Sequence, residues 1–246
     1  MIEKLIDEIK LYLKDNSLRL TEEQKSRMYK ILNSSNPNFI GYGIKHSDIE
    51  KFVRKIQIKY QPSYKEVSEI FKELIKSDVH DEKMAGIFLL NRFKKNFDKE
   101  TVKMIQELIP QNFDTWAITD TTMIRVIGPF LGKKGNEELA EKTIENWSNS
   151  ENLWIRRASL VILLKIIMMK KEFNEDFVSE FVEKMLKYPE DYIHKGIGWL
   201  LKTCSKYKPD SIFDYLMKNK ETLPRLILRY ASEKLPKEKK LLVLKK

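Results

Sequence analysis

IRRASLVILL, residues 155–164, holds two charges, both near its start, and neither Gly nor Pro. A helix this apolar must be buried on most of its circumference. Three similar decads stand elsewhere in the chain: MAGIFLLNRF at 84–93, TDTTMIRVIG at 119–128 and HKGIGWLLKT at 194–203. From Met84 to Thr119, Ile155 and His194 the steps are 35, 36 and 39 residues. More amphipathic, charged helices lie between them, such as DKETVKMIQELIP, NEELAEKTIENW and NEDFVSEFVEKMLKY. A period a little under 40 with two helices per unit is the mark of HEAT-like repeats. Such a pair does not bury its apolar stripe alone, so each stacks on its neighbours and the stack leaves a concave face. The small residues Ala85, Ala158, Gly196 and Gly198 let the inner helices approach closely.

The rest of the chain agrees with this reading. Period 3.6 dominates and alternation of period two is almost absent. Ile2, Leu5, Ile9 and Leu13 form one stripe. Thr21 followed by Gln24 is a capping-box pattern. Ser47 and Asp48 are N-cap candidates for HSDIEKFVRKIQIKY, and Asp114 for the helix that contains Trp116. The prediction is an all-α, curved α-solenoid of about thirteen helices, with residues 1–246 forming a single domain. NSSNPNFIGYG (33–43) is its long polar loop, and the basic tail 237–246 is either a last helix or frayed.

Composition narrows the function. The chain has 46 Lys and Arg against 36 Asp and Glu, a net charge of +10. Residues 151–246 carry a balance of +8 and residues 1–150 only +2. One basic half suggests a polyanion-facing surface, with nucleic acid first; a solvated, Lys-rich surface is the alternative. The start lacks an apolar signal-peptide core, and no window of 18 uncharged apolar residues exists, so no membrane partner is expected. The single cysteine, Cys204, rules out an intramolecular disulfide and fits a reducing cytoplasm. P-loop, dinucleotide, Cys-x-x-Cys and zinc-protease motifs are missing, and His46, His80 and His194 are scattered. Neither a metal nor another cofactor is expected.

What remains is a set on the inner helices. Trp116 and Asp120 are four apart and share a helical face, as do Trp154 and Arg157 at three apart and Lys195 and Trp199 at four. Stacked at matching repeat positions, they would line one surface with an acid, cations and indoles. Taken singly, each also has a plain structural reading. The tryptophans would be core, Asp120 would pair with Arg125, Arg156 or Arg157, and Arg156 and Arg157 would sit in structural ion pairs.

The pieces W-A-I-T-D (116–120), F-L-G (130–132), N-L-W-I-R-R-A (152–158) and H-K-G-I-G-W-L-L (194–201), in this order, resemble the AlkD-type DNA alkylation repair family, HEAT-repeat DNA glycosylases. The resemblance covers nearly the whole chain. It implies a monomer that acts on double-stranded DNA containing alkylated bases and releases cationic purines, chiefly 7-alkylguanine and 3-alkyladenine, in base excision repair. Neither a metal nor turning of the lesion into a pocket is implied. Carried over by position, it makes Asp120, Trp116 and Trp199 catalytic, and Arg157, Arg156, Trp154, Lys195 and Tyr29 DNA-binding. Tyr42 is the other option for the N-terminal aromatic. Ala117 departs from the acidic residue that many members carry there, and the 33–43 loop stretches an otherwise compact N-terminal region. Two further readings stay open: a non-catalytic module that binds unusual DNA or RNA shapes, and a protein-binding solenoid.

Overall fold

In the computed structural model, which describes residues 1–245, several helix starts follow the local chemistry. α1 (Ile2–Asp15) buries Leu5, Ile9 and Leu13 on its predicted stripe. α2 (Glu22–Leu32) opens on the expected box, with Thr21 and Gln24 exchanging side chain-to-backbone hydrogen bonds. α3 (His46–Tyr60) follows, then α4 (Tyr64–Leu74), capped by a second box of Ser63 and Glu66. Next come α5 (His80–Asn91), α6 (Lys99–Asn112) and α7 (Trp116–Thr122). A π-helical segment, Met123–Ile127, then leads into α8 (Gly128–Leu131). The remaining helices are α9 (Glu137–Ser148), α10 (Leu153–Lys170), α11 (Glu175–Met185), α12 (Asp191–Cys204), α13 (Pro209–Lys218), α14 (Arg225–Ala231) and α15 (Lys237–Leu244).

The fold is an all-α solenoid of paired helices. Apart from one parallel bridge between Ile40 and Val79, no strand pairing occurs among the described residues. Counted with 116–131 as one continuous helix, fourteen helices lie among the described residues, against the thirteen expected. The extra one is α15: the basic tail is helical over Lys237–Leu244, and Lys246 lies outside the described residues.

Two N-cap expectations are corrected. Lys45, not Ser47 or Asp48, caps α3, because Ile44 N–H is already tied to the Asp81 carboxylate and the helix begins just after it. Asp48 instead sits in the first turn, where a carboxylate suits the helix dipole. Thr115, not Asp114, caps α7 by accepting the Ile118 N–H, because the Asp114 carboxylate is paired with Lys83.

Contacts divide the chain into two compact units, Met1–Phe130 and Leu131–Lys246. In the first, α5 packs on α3, α4 and α7. In the second, α12 lies between α10 and α14, and α10 also covers α9. These inner helices are the apolar decads: α5 is buried from His80 to Leu90 and α10 from Trp154 to Leu164. The predicted role of the small residues is clearest at Gly198. A Cβ there would stand 2.5 Å from Tyr230 Cβ and 3.4 Å from the Ile227 carbonyl oxygen. Neither atom is the free end of a flexible side chain. Gly198→Ala is therefore expected to cost about 1–3 kcal/mol through overpacking, more than the helix propensity it gains. A thermal melt checks this; an unchanged or raised Tm would mean that α14 moves aside at no cost.

α5 begins with four titratable residues, His80, Asp81, Glu82 and Lys83, and all four are buried. Burial, with His46 and Lys83 nearby, pushes the His80 pKa down to about 3. Folded His80 thus stays neutral where the unfolded chain takes up a proton. Its contribution to stability is complete above pH 6.5 and is lost as the pH falls towards 3. The loss is about 2 kcal/mol between pH 7 and pH 5. His80→Gln should flatten that part of the Tm-against-pH curve; parallel curves for parent and variant would refute it.

Candidate functional site

The residues singled out in the sequence fall into one set in each unit. In the first unit, the turn between α6 and α7 delivers Trp116 and Asp120. It is held from below by Lys83 of α5, whose Nζ donates to the Asn112 carbonyl at 2.7 Å. The same Nζ stands 3.0 Å from Asp114 Oδ2, an ion pair between two buried side chains. Thr115 then caps the helix, and the Thr119 and Thr122 hydroxyls bond back to the carbonyls of Thr115 and Ile118. The helix widens into its π segment directly afterwards, as is frequent at functional sites. No sequence feature had signalled that widening.

Trp116 is partly exposed and its Nε1–H donates to the Ile31 carbonyl at 2.9 Å. Ile31 lies in the last turn of α2, two residues after Tyr29. This bond therefore brings the Tyr29 end of α2 to the start of α7. Tyr29 is exposed, with its ring edge-on to Phe39 at 5.3 Å. Tyr42, the other option, is half-buried, and its backbone N–H is taken by Asp81. Asp120, one turn on from Trp116, is 7% exposed.

In the second unit the set gathers around a residue that the sequence reading missed, Tyr192. Trp154 is buried, with its ring 5.1 Å from that of Tyr192. Arg157 is also buried. It donates from Nη1 to the Tyr192 carbonyl, and its guanidinium carbon lies 6.0 Å from the Tyr192 ring. Lys195 Nζ is 5.4 Å from the same ring. The available signal was spacing, since Tyr192 stands one turn before Lys195 on the face that Lys195 shares with Trp199. Gly196 leaves room for this cluster: a Cβ there would be 2.9 Å from Leu160 Cδ1 and 3.7 Å from Arg157 Nη1. Trp199 is partly exposed on α12.

Arg156 does not join the cluster. It donates to the carbonyls of Ser150 and Glu151 at 2.8 Å each and pairs with the Glu190 carboxylate. Its guanidinium also stacks on Tyr188 at 4.4 Å. That is its alternative, structural reading: it staples the loop before α10 to the start of α12. Arg125, one of the partners considered for Asp120, pairs with Glu50 at 3.0 Å. Among the described residues no group of three or more His, Cys, Asp or Glu is arranged to hold a metal ion. No helix among them is long and apolar enough to cross a membrane.

Fold and residue sets together define a helical-repeat protein with an acid and an indole on one helix and a cation–aromatic cluster on others. The family model for DNA alkylation repair enzymes matches residues 13–235, so the chain belongs to the DNA alkylation repair enzyme family. A structure described as a predicted DNA alkylation repair enzyme from Enterococcus faecalis is similar, with a TM-score of 0.74 and 20% identity over 90% of this chain and 99% of the other. AlkD2 from Streptococcus mutans is similar with a TM-score of 0.57 and 19% identity, over 92% and 99%. These likenesses concern the fold. No curated protein matched the chain.

Proposed function

We propose that this protein is a DNA glycosylase that releases cationic alkylated purines, 7-alkylguanine and 3-alkyladenine, from double-stranded DNA. Membership of a DNA alkylation repair family supports the reading, and one observation carries it to the residues: Asp120 lies one turn from the partly exposed Trp116 on the same face of α7.

An alkyl group on N7 or N3 makes the purine a cation. When the C1′–N bond breaks, its electron pair goes to the base, which leaves neutral. The sugar is left with oxocarbenium character, so little acid catalysis is required. A carboxylate stabilises that positive carbon and orients the water that attacks C1′; the proton the water loses passes to solvent. This is the role of Asp120. The indole of Trp116 packs on deoxyribose and favours positive charge through its ring face, and Trp199 offers the same kind of face to the DNA. Arg157, Lys195, Trp154 and Tyr29 hold the DNA backbone in register; that the lesion need not be turned into a pocket is what the family resemblance implies. Arg156 has a smaller part here, because its guanidinium is engaged within its own unit.

A non-catalytic module for unusual nucleic-acid shapes is the second reading, favoured by the burial of Asp120 at 7% exposure. One experiment separates the two. The protein is incubated with methylated duplex DNA and liberated bases are resolved by chromatography. Free 7-methylguanine or 3-methyladenine is expected. Tight, salt-dependent binding of abasic DNA with no free base would instead establish the second reading.

A further inference from the structure

The connection between α2 and α3 runs from residue 33 to 45, well beyond the 2–8 residues usual between neighbouring helices. Its length is not slack. The Ser35 N–H donates to the Asp114 carbonyl at 2.9 Å, immediately before the α7 cap. Asn36 Nδ2 reaches Asp78 Oδ1 at 2.7 Å, and Asn36 Oδ1 accepts the Asn38 N–H. Ile40 and Val79 form the parallel bridge, with Ile40 N–H on the Asp78 carbonyl and His80 N–H on the Ile40 carbonyl. Phe39 is buried between Tyr29 and His80. Finally Asp81, 4% exposed, takes the Tyr42 N–H on one oxygen at 2.7 Å and the Ile44 N–H on the other at 3.0 Å.

Two of the attachments clamp α7 from either side of its cap: Ile31 accepts the Trp116 indole N–H, and Ser35 holds the Asp114 carbonyl. The indole of Trp116 is therefore oriented by α2 and this strap, not by α7 alone. We propose that the 33–45 connection is a positioning strap for Trp116 and that Asp81 is the positioning residue that fastens it. The consequence for excision rests on the function proposed above; the mechanical link does not.

Two features separate this from ordinary loop packing. Asp81 is a buried carboxylate whose accepted bonds include two backbone N–H groups of the strap, so removing it frees the Tyr42–Ile44 end of the strap and leaves the Ile40–His80 bond as its backbone tie to α5. The other end of the strap meets Asp114 through Ser35, and Ile31 at the end of α2 meets Trp116, so the two contacts bracket Thr115. Loss of the fastener should thus be felt at Trp116, on a different helix from Asp81, before it is felt at other tryptophans.

The test uses the full chain labelled with ¹⁵N at tryptophan. It contains four tryptophans, and Trp116→Phe assigns the relevant indole signal. In Asp81→Ala the Trp116 indole signal is expected to shift and its hydrogen exchange to quicken about tenfold, while those of Trp147, Trp154 and Trp199 stay in place. Asp81→Asn keeps one acceptor and should recover most of the change. Single-turnover excision should fall about tenfold in Asp81→Ala with DNA binding retained. An unmoved Trp116 signal in Asp81→Ala overturns the proposal. If that variant does not fold, Asn36→Ala, at a half-exposed position, removes two strap bonds and is read the same way, with a smaller shift expected and an unmoved signal decisive against. A moved indole signal in a protein that excises nothing would support the strap and defeat the glycosylase reading, so the two fail separately.

Discussion

Asp120→Asn is expected to slow single-turnover release of 7-methylguanine by about 10²–10³-fold while binding of abasic duplex changes little. The magnitude follows from the kind of interaction removed. A preorganised charge aimed at a centre that gains charge only in the transition state is worth about 2.7–4 kcal/mol, most of it absent from the ground state. Asparagine keeps the shape and the hydrogen-bonding capacity but not the negative charge. Because Asp120 is 7% exposed, the substitution also tests whether the carboxylate serves the fold. The melt and the rate are therefore read together. A slow variant with the parent's Tm assigns the carboxylate to chemistry; a parental excision rate with a lowered Tm assigns it to structure and removes it from the mechanism.

Lys83→Met should be the most destabilising single change near the site. Lys83 is 3% exposed, and its ammonium faces Asp114 at 3.0 Å and the Asn112 carbonyl at 2.7 Å. Removing the cation leaves a carboxylate buried without its counter-charge, which costs about 3–5 kcal/mol. In a chain of this length that lowers Tm by roughly 10 °C. The double variant Lys83→Met with Asp114→Leu should recover most of the loss, since replacing both charges by apolar groups is often neutral. Additive losses in the double variant would show that the pair itself contributes little and that packing explains the single effect. Lys83 also braces the turn from which Trp116 and Asp120 project, so excision should decline in the single variant even at temperatures where it remains folded.

Much of this molecule was legible in the amino-acid order. Leu5, Ile9 and Leu13 are on the buried stripe, Thr21 and Gln24 form their box, and the four apolar decads lie on the inner helices. These are local matters, settled by side-chain period and by which group can reach a nearby N–H. The failures were local predictions overruled from a distance. Asp114 is as good an N-cap as Thr115 on local grounds, but Lys83, 31 residues earlier, takes its carboxylate. Asp48 was displaced as a cap because Asp81 holds the strand of chain that enters α3.

The candidate site divides the same way. Its residue types and order, W-x-x-x-D followed by R-A and I-G-W, could be read directly, because helical spacing alone puts Trp116 beside Asp120 and Lys195 beside Trp199. Tyr192, the strap from 33 to 45 and the buried start of α5 could not. Each depends on which backbone groups from separate segments meet. A tyrosine becomes a hub only when Trp154 and Arg157 of α10 close on it. A run reading His-Asp-Glu-Lys looks like a solvated helix start until the packing of α5 buries all four. The sequence by itself determined the helices, their pairing and the chemical kinds of group available, because those follow from covalent neighbours and from the need to hide an apolar stripe. Only the tertiary structure decided which charges pair, which cap is used and what orients Trp116, because in a low-dielectric interior a partner brought from far along the chain outweighs the nearest one.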